Sequence, residues 1–90
     1  MNKLIQVIPQ SDFRLRLVFS DHSWGELDFN PSLQRTGSLL EALHDPVYFA
    51  RCFIEMGAVC WPNGLELGAE SLRLKLLKNN ALHESGQEAA

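Results

Sequence analysis

The residues of this sequence that could carry chemistry are its histidines, cysteines and acids. Each histidine stands next to an acid, in the pairs Asp21-His22, His44-Asp45 and His83-Glu84. A zinc site needs three or four ligands that converge on one point, and these spacings do not place two histidines on one face of a helix. The sequence therefore predicts no metal site and no bound cofactor.

Cys52 and Cys60 are the two candidate nucleophiles. A reactive thiolate needs a base or a cation beside it, and neither cysteine has a histidine as a chain neighbour. In a hairpin that turns at Met56-Gly57, Phe53 opposes Cys60, so the two thiols point to opposite sides of the sheet and are not expected to form a disulfide. We therefore interpret both cysteines as buried structural residues.

The remaining candidates have simpler explanations. Glu26 and Asp28 share a predicted sheet face with Arg14 and Arg16, which is typical of a solvated face rather than of a paired-carboxylate site. The Asn63-Gly64 pair lacks the glycine and lysine spacing of a phosphate-binding loop. The sequence thus assigns no catalytic residue, and we expect no enzymatic activity.

The composition is that of one small globular domain. The chain has 90 residues, of which 46% are hydrophobic and 21% charged, a balance typical of a folded protein. The eight basic residues are scattered and the net charge is −3, so nucleic acid is not an expected partner. Because no apolar run is long enough to span a membrane and residues 1–6 do not resemble a secretory signal, we expect a cytoplasmic protein.

Three strands are predicted in the first third of the chain. Residues 3–8 are mostly β-branched or aliphatic and stop at Pro9, which has no amide hydrogen to donate to a sheet. Residues 12–19 and 24–29 alternate between apolar and polar side chains, as strands with one buried face do.

The register between the second and third strands can also be predicted. A three-residue loop at Asp21-His22-Ser23 would set Leu17 against Leu27 and Arg16 against Asp28. This register places apolar residues opposite apolar ones on one face and opposite charges together on the other.

The second half of the chain predicts short helices, a hairpin and a longer helix. Residues 39–43 form a helical turn, and Asp45 caps a further turn that has Pro46 at its first position. Residues 51–61 form a second hairpin. Ala69–Lys78 is rich in good helix formers.

Together these elements predict a single α+β domain over residues 1–78. Its small antiparallel sheet follows the order βββ, short helices, ββ, helix, with the helices packed on one face. Residues 79–90 are mostly polar or small, and we expect them to form a flexible tail. The apolar face of the second hairpin comprises Cys52, Ile54, Val59 and Trp61.

The last helix carries two apolar stripes. Ala69, Leu72 and Leu76 align on one side at 100° per residue, whereas Leu74 and Leu77 lean toward another. One sheet face covers only one of these stripes. The second stripe either packs under the segment formed by residues 31–50 or remains exposed as a candidate interaction surface.

Residues 2–78 resemble a small bacterial family known as domain of unknown function 2442. The most specific element is the structural motif Trp61-Pro62-Asn63-Gly64. The rest of the resemblance lies in Val7-x-Pro9, Phe13-x-Leu15-x-Leu17-x-Phe19-x-Asp21, Gly25-x-Leu27-Asp28-Phe29, Leu43-x-Asp45-x-x-x-Phe49, Glu66-Leu67 and Glu70-x-Leu72. Family members usually carry a glycine where His22 stands and an aspartate where Glu66 stands.

This resemblance implies a small α+β fold and a protein partner. Some members of the family carry an added helix-turn-helix domain. Their genes often neighbour the gene of another small protein, in an arrangement similar to toxin and antitoxin pairs. The implied partner is therefore a protein encoded nearby, in addition to a possible homodimer.

Three functions stay open at this point. The first is a non-enzymatic protein-interaction module, in the manner of the antitoxin half of such a gene pair. The second is a fragment or relative of a transcriptional regulator, which the scattered basic residues do not favour. The third is a small enzyme, for which the sequence offers no set of catalytic residues.

Overall fold

The computed structural model describes residues 2–33 and 41–84, so the predicted turn at 39–43 and the predicted tail at 79–90 lie partly outside the described residues. None of the described helices is long and apolar enough to cross a membrane. In chain order, the elements of the described residues are β1 Leu4–Gln10, β2 Arg14–Phe19, β3 Trp24–Asp28, α1 Asn30–Leu33, a 3-10 turn Ala42–His44, α2 Pro46–Phe49, β4 Phe53–Glu55, β5 Ala58–Cys60, β6 Glu66–Leu67, α3 Ala69–Lys78 and β7 Leu82–His83.

The predicted α+β class is confirmed, with two antiparallel sheets where the sequence predicted one. The larger sheet has the order β1-β2-β3-β7, and the smaller has the order β4-β5-β6. The backbone amide of Leu4 donates a hydrogen bond to the carbonyl of Gly57 at 2.9 Å, which ties the edge of the larger sheet to the turn of the second hairpin.

The second hairpin has the predicted register. Phe53 pairs with Cys60 and Glu55 pairs with Ala58, so the turn consists of Met56 and Gly57 alone. Both turn residues have positive φ, at 51° and 79°, as a two-residue turn between twisted strands requires.

The predicted turn capped by Asp45 and the predicted longer helix are also present. The carboxylate of Asp45 accepts a hydrogen bond from the amide of Val47 at 3.0 Å, with Pro46 at the start of α2, which is the predicted cap. Ala69–Lys78 forms α3 with the predicted bounds. Leu72 and Leu76 of this helix are buried and belong to the core.

One core joins both sheets and the helices. The indole of Trp61 is 1% exposed, lies 6.1 Å from the ring of Phe49 and 6.3 Å from that of Phe29, and donates to the carbonyl of Phe49 at 2.9 Å. The buried members of this core are Leu4, Leu15, Leu17, Phe19, Leu27, Phe29, Leu43, Phe49, Val59, Trp61, Ala69, Leu72 and Leu76.

The predicted register of the first hairpin is wrong by two residues. The amide of Phe19 donates to the carbonyl of Ser23 at 2.8 Å, so the three-residue loop begins one residue earlier than predicted. Arg16 therefore pairs with Glu26 rather than with Asp28. A shift of two residues keeps every side chain on its predicted face, because strand side chains alternate with a period of two.

The physical reason for this shift is the left-handed residue that closes a three-residue hairpin loop. His22 takes this place, with φ of 70°, and the carboxylate of Asp21 accepts hydrogen bonds from both the amide and the hydroxyl of Ser23. A glycine usually marks such a position. Its absence here removed the sequence signal for the loop.

Two predicted strand bounds are also wrong. β1 continues through Pro9, which pairs with Leu15; because β1 is an edge strand, the missing amide hydrogen can lie on the side away from β2. β2 begins later than predicted, at Arg14, because Asp12 and Phe13 adopt positive φ values of 60° and 59°.

The prediction of a flexible tail is wrong for the residues that follow α3. Asn80 has φ of 54°, and the amide of Ala81 donates to the carbonyl of Leu76 at 2.8 Å. This is the left-handed helix ending that reverses the chain. Leu82–His83 then pairs with the start of β3 as β7, and Glu66–Leu67 is a second short strand that was not predicted.

Because Trp61 fills the junction of the core, we expect Trp61→Ala to lower the free energy of unfolding by about 3 to 5 kcal/mol. The measurement is a denaturant melt. Trp24→Ala is the matched control, since Trp24 is only half-buried on the outer face of the larger sheet, and we expect it to cost about 1 to 2 kcal/mol. A loss below about 1 kcal/mol for Trp61→Ala would contradict a central role in the core.

The strained loop residue leads to a second prediction. We expect His22→Gly to raise the free energy of unfolding by about 0.5 to 1 kcal/mol, because glycine adopts positive φ without steric cost. His22→Ala is the control: it removes the imidazole but keeps the steric cost, so it should bring no gain. Equal effects of the two substitutions in denaturant melts would disprove this explanation.

Candidate functional site

The predicted interaction surface lies on α3 and is exposed to solvent. Leu74 is 53% exposed and Leu77 is 47% exposed, whereas Leu72 and Leu76 on the other stripe are 1% and 0% exposed. Leu72 and Leu76 thus belong to the core of the described residues, whereas Leu74 and Leu77 lie outside it. We call the face that carries Leu74 and Leu77 the α3 face.

Charged residues flank the two leucines on the α3 face. At 100° per residue, Glu70 lies one turn before Leu74, and Lys78 lies one turn after it. All four side chains are exposed. On the neighbouring side of the helix, the Arg73 guanidinium lies 3.7 Å from the carboxylate of Asp21. The α3 face is therefore apolar at its centre, with an acid at one end and a base at the other.

The Trp61-Pro62-Asn63-Gly64 motif forms the turn that leads from β5 to β6. The amide of Gly64 donates to the carbonyl of Trp61 at 3.0 Å, and the amide of Trp61 donates to the carbonyl of Leu65 at 2.9 Å. Gly64 has a positive φ, at 95°. The Asn63 side chain accepts from the amide of Leu65 at 3.0 Å. The motif thus has a clear structural role, which is to hold the Trp61 indole in the core.

The two cysteines are free: Cys60 in β5 is buried as predicted, whereas Cys52, one residue before β4, is only partly buried, so the prediction is wrong for Cys52. Burial raises the pKa of the Cys52 thiol from the ordinary 9.0 to about 11. Cys60 is 5% exposed; burial raises its pKa, and the negative charges of Glu66 and Glu55 add to the shift. Both environments disfavour the thiolate, the reactive form of cysteine.

The histidines lie in three different parts of the described structure. His22 is in the first hairpin loop, His44 is in the 3-10 turn, and His83 is in β7. The described residues contain no group of three or more histidine, cysteine, aspartate or glutamate side chains placed to hold a metal ion.

A stack of rings on the outer face of the larger sheet was not predicted from the sequence. The His83 ring lies 4.1 Å from that of Trp24 at an interplanar angle of 16°, and the Arg16 guanidinium lies 4.3 Å from the same indole. The stack was missed because the sequence places His83 in a predicted flexible tail, and a flexible tail is not expected to pack against the sheet. The stack anchors β7 to β3.

The acids of the first hairpin are paired as on a solvated sheet face. Glu26 lies 3.8 Å from the Arg14 guanidinium. The backbone and side-chain amides of Asn30 donate to Asp28 and lower the pKa of its carboxyl. Hydrogen bonds from Ser23 lower that of Asp21 in the same way. These partners explain the three acids more simply than a paired-carboxylate site does, as the sequence indicated.

The cysteine environments predict how the protein behaves in alkali. We expect thiol titration of the denatured, non-reduced protein to find two free thiols, and we expect both to react slowly in the folded protein. A thiol whose pKa is raised by folding stabilises the fold below its unfolded pKa and loses that contribution as the pH rises through the folded value. The Cys52 contribution should therefore disappear between pH 9.0 and about 11.

Denaturant melts across that pH range measure the effect. Other groups titrate in the same window, so Cys52→Ala is the control, and its free energy of unfolding should fall less than that of the unmodified chain. Parallel curves for the two proteins, or fewer than two thiols in the denatured chain, would contradict the assignment.

Comparison with known proteins identifies the family. Neither the curated proteins nor the solved structures contain a match to this chain. Residues 4–76 match the family described as protein of unknown function DUF2442, and this range holds β1, the Trp61-Pro62-Asn63-Gly64 motif and most of α3. With most of its length inside the match, the chain belongs to the DUF2442 family.

Proposed function

We propose that this chain is a non-enzymatic protein-interaction module that associates through the α3 face. The observation that carries the proposal is the exposure of Leu74 and Leu77, at 53% and 47%, beside a core that is closed without them. Two leucines one turn apart on a helix form a stripe that pairing with another surface removes from water.

The charges of the α3 face favour a second copy of this chain as the partner. In a two-fold pairing of antiparallel helices centred on Leu74, Glu70 of each copy lies opposite Lys78 of the other, because each residue is four positions from the centre. Leu74 then meets its copy at the axis, Leu77 of each copy lies opposite Ser71 of the other, and the two charge pairs close the rim. The same surface therefore complements itself in charge.

The gene arrangement implied by the family resemblance extends this proposal to a second partner. In an antitoxin-like role, the chain would bind the small protein encoded beside it. Co-purification of the two gene products, tested with and without substitutions on the α3 face, addresses this part of the proposal.

Self-association is tested by sedimentation velocity across micromolar concentrations. We expect the unmodified chain to shift from monomer to dimer and the Leu74→Glu/Leu77→Glu variant to stay a folded monomer. Since both positions are exposed, the variant should retain its free energy of unfolding to within about 1 kcal/mol.

Val47→Glu is the matched control, because Val47 is an apolar side chain on α2 that is 73% exposed, and its replacement should leave the dimer intact. Reversing one charge, in Glu70→Lys or in Lys78→Glu, should weaken the dimer, and combining both reversals should restore it. An unmodified chain that remains monomeric at every concentration would disprove self-association.

A further inference from the structure

The outer face of the smaller sheet bears an open cavity of about 300 Å³. Phe53, Cys60 and Glu66 form a row across β4, β5 and β6, because each is the register partner of the next. Glu55 lies two residues after Phe53 and so on the same face. The turn after β5 forms the remaining wall with Trp61, Pro62, Gly64 and Leu65.

The lining of the cavity is acidic. Glu55 and Glu66 are both exposed at its rim, and none of its lining residues is basic. The thiol of Cys60 lies 3.9 Å from the Glu66 carboxylate. Both carboxylates raise the pKa of this thiol, so their fields overlap at the sulfur and favour a positive charge there.

The same cavity offers an apolar platform. Phe53 is 41% exposed although it is a large aromatic side chain, and Pro62 and Leu65 line the cavity with it. An aromatic ring beside carboxylates can hold the methylene stem of a long basic side chain while its cationic head reaches the acids. A neutral apolar ligand would instead leave the two carboxylates partly desolvated without a partner.

We infer that this cavity binds an arginine side chain of a partner protein, with the stem against Phe53 and Pro62 and the guanidinium between Glu55 and Glu66. A planar guanidinium suits the site better than an ammonium, since it stacks on a ring and bonds two carboxylates at once. The choice of a protein as the ligand rests on the interaction function proposed above. Its residues belong to the smaller sheet and not to α3.

The experiment is an NMR titration of the ¹⁵N-labelled full chain with a blocked glycine-arginine-glycine tripeptide. The matched control is the same tripeptide with citrulline, which has the shape of arginine without its charge. We expect saturable shifts of the amides of Cys60, Gly64 and Glu66 with the arginine peptide only. Spermidine is titrated as a second ligand. Tighter binding of this polyamine than of the peptide would indicate that the ligand of the cavity is a small cation and not a protein side chain.

Variants of the rim acids give the second readout. We expect Glu55→Gln and Glu66→Gln each to raise the Kd of the arginine peptide about twofold to fivefold, as the loss of one exposed ion pair does. Glu41→Gln removes an exposed acid that belongs neither to the cavity nor to the α3 face, and it should leave the Kd unchanged. Equal shifts with citrulline, shifts confined to other amides, or no saturation with the arginine peptide would overturn the inference.

Arginine binding in the cavity and dimerisation through the α3 face are two proposals that can fail independently. A chain that sediments as a monomer but binds the arginine peptide loses the proposed dimer and keeps this site. A chain that dimerises through α3 and shows no arginine-dependent shift keeps the dimer and loses this site.

Discussion

The indole of Trp61 lies where the smaller sheet, α2 and the end of β3 meet. Its ring packs against Phe29 and Phe49, and its N–H donates to the Phe49 carbonyl. A chain of 90 residues buries a modest share of its surface, so one large side chain at such a junction contributes a large part of the core. The relative placement of the two sheets depends on this contact, together with the hydrogen bond from Leu4 to Gly57.

The turn that holds Trp61 inside the protein also shapes the surface outside it. Pro62 and Gly64 follow the indole directly in the chain and line the cavity on the outer face of the smaller sheet. The hydrogen bonds of this turn bring Leu65 back beside Trp61, so that β6 can pair with β5. The structural motif thus places Glu66 opposite Cys60. The cavity forms because the same turn holds the Trp61 indole in the core.

The parts of the fold that were predictable from the sequence are those with a pattern that continues over many residues or with a strong local signal. Ten residues of helix formers fixed the bounds of α3, and Asp45-Pro46 marked the start of α2. The parts that were missed depend on single left-handed residues without a glycine to mark them. The positive φ of His22 is the reason why the register of the first hairpin differs from the predicted one by two residues. The positive φ of Asn80 ends α3 and turns the chain back toward β3.

The two candidate surfaces differ in how far the sequence could indicate them. Helical spacing indicated that Leu74 and Leu77 stand outside the stripe that the sheet covers, and the structure adds that both are exposed. The cavity could not be predicted, since it needs three neighbouring strands and one of them, Glu66–Leu67, is too short to show an alternating pattern. Cys60 is buried, as predicted, but its two acidic neighbours come from other strands.

The anchoring of α3 at both ends bears directly on how it can bind. Its first residue follows β6 after Gly68 alone, and its last turn is closed by the hydrogen bond from Ala81 to Leu76. A Cβ atom at Gly25 would lie 2.6 Å from the Ala81 carbonyl oxygen, so the absence of a side chain there lets the chain after α3 pass close to β3. The stack of His83 on Trp24 then fixes β7.

A helix held in this way presents its exposed leucines in one orientation. Ordering of an interface costs about 0.5 to 1.5 kcal/mol for each flexible side chain that binding immobilises, and a mobile helix adds the ordering of its backbone to that cost. For α3, folding has already ordered the backbone. Association through the α3 face therefore has to order only the Leu74 and Leu77 side chains and the charged side chains beside them, which favours binding through so small an apolar surface.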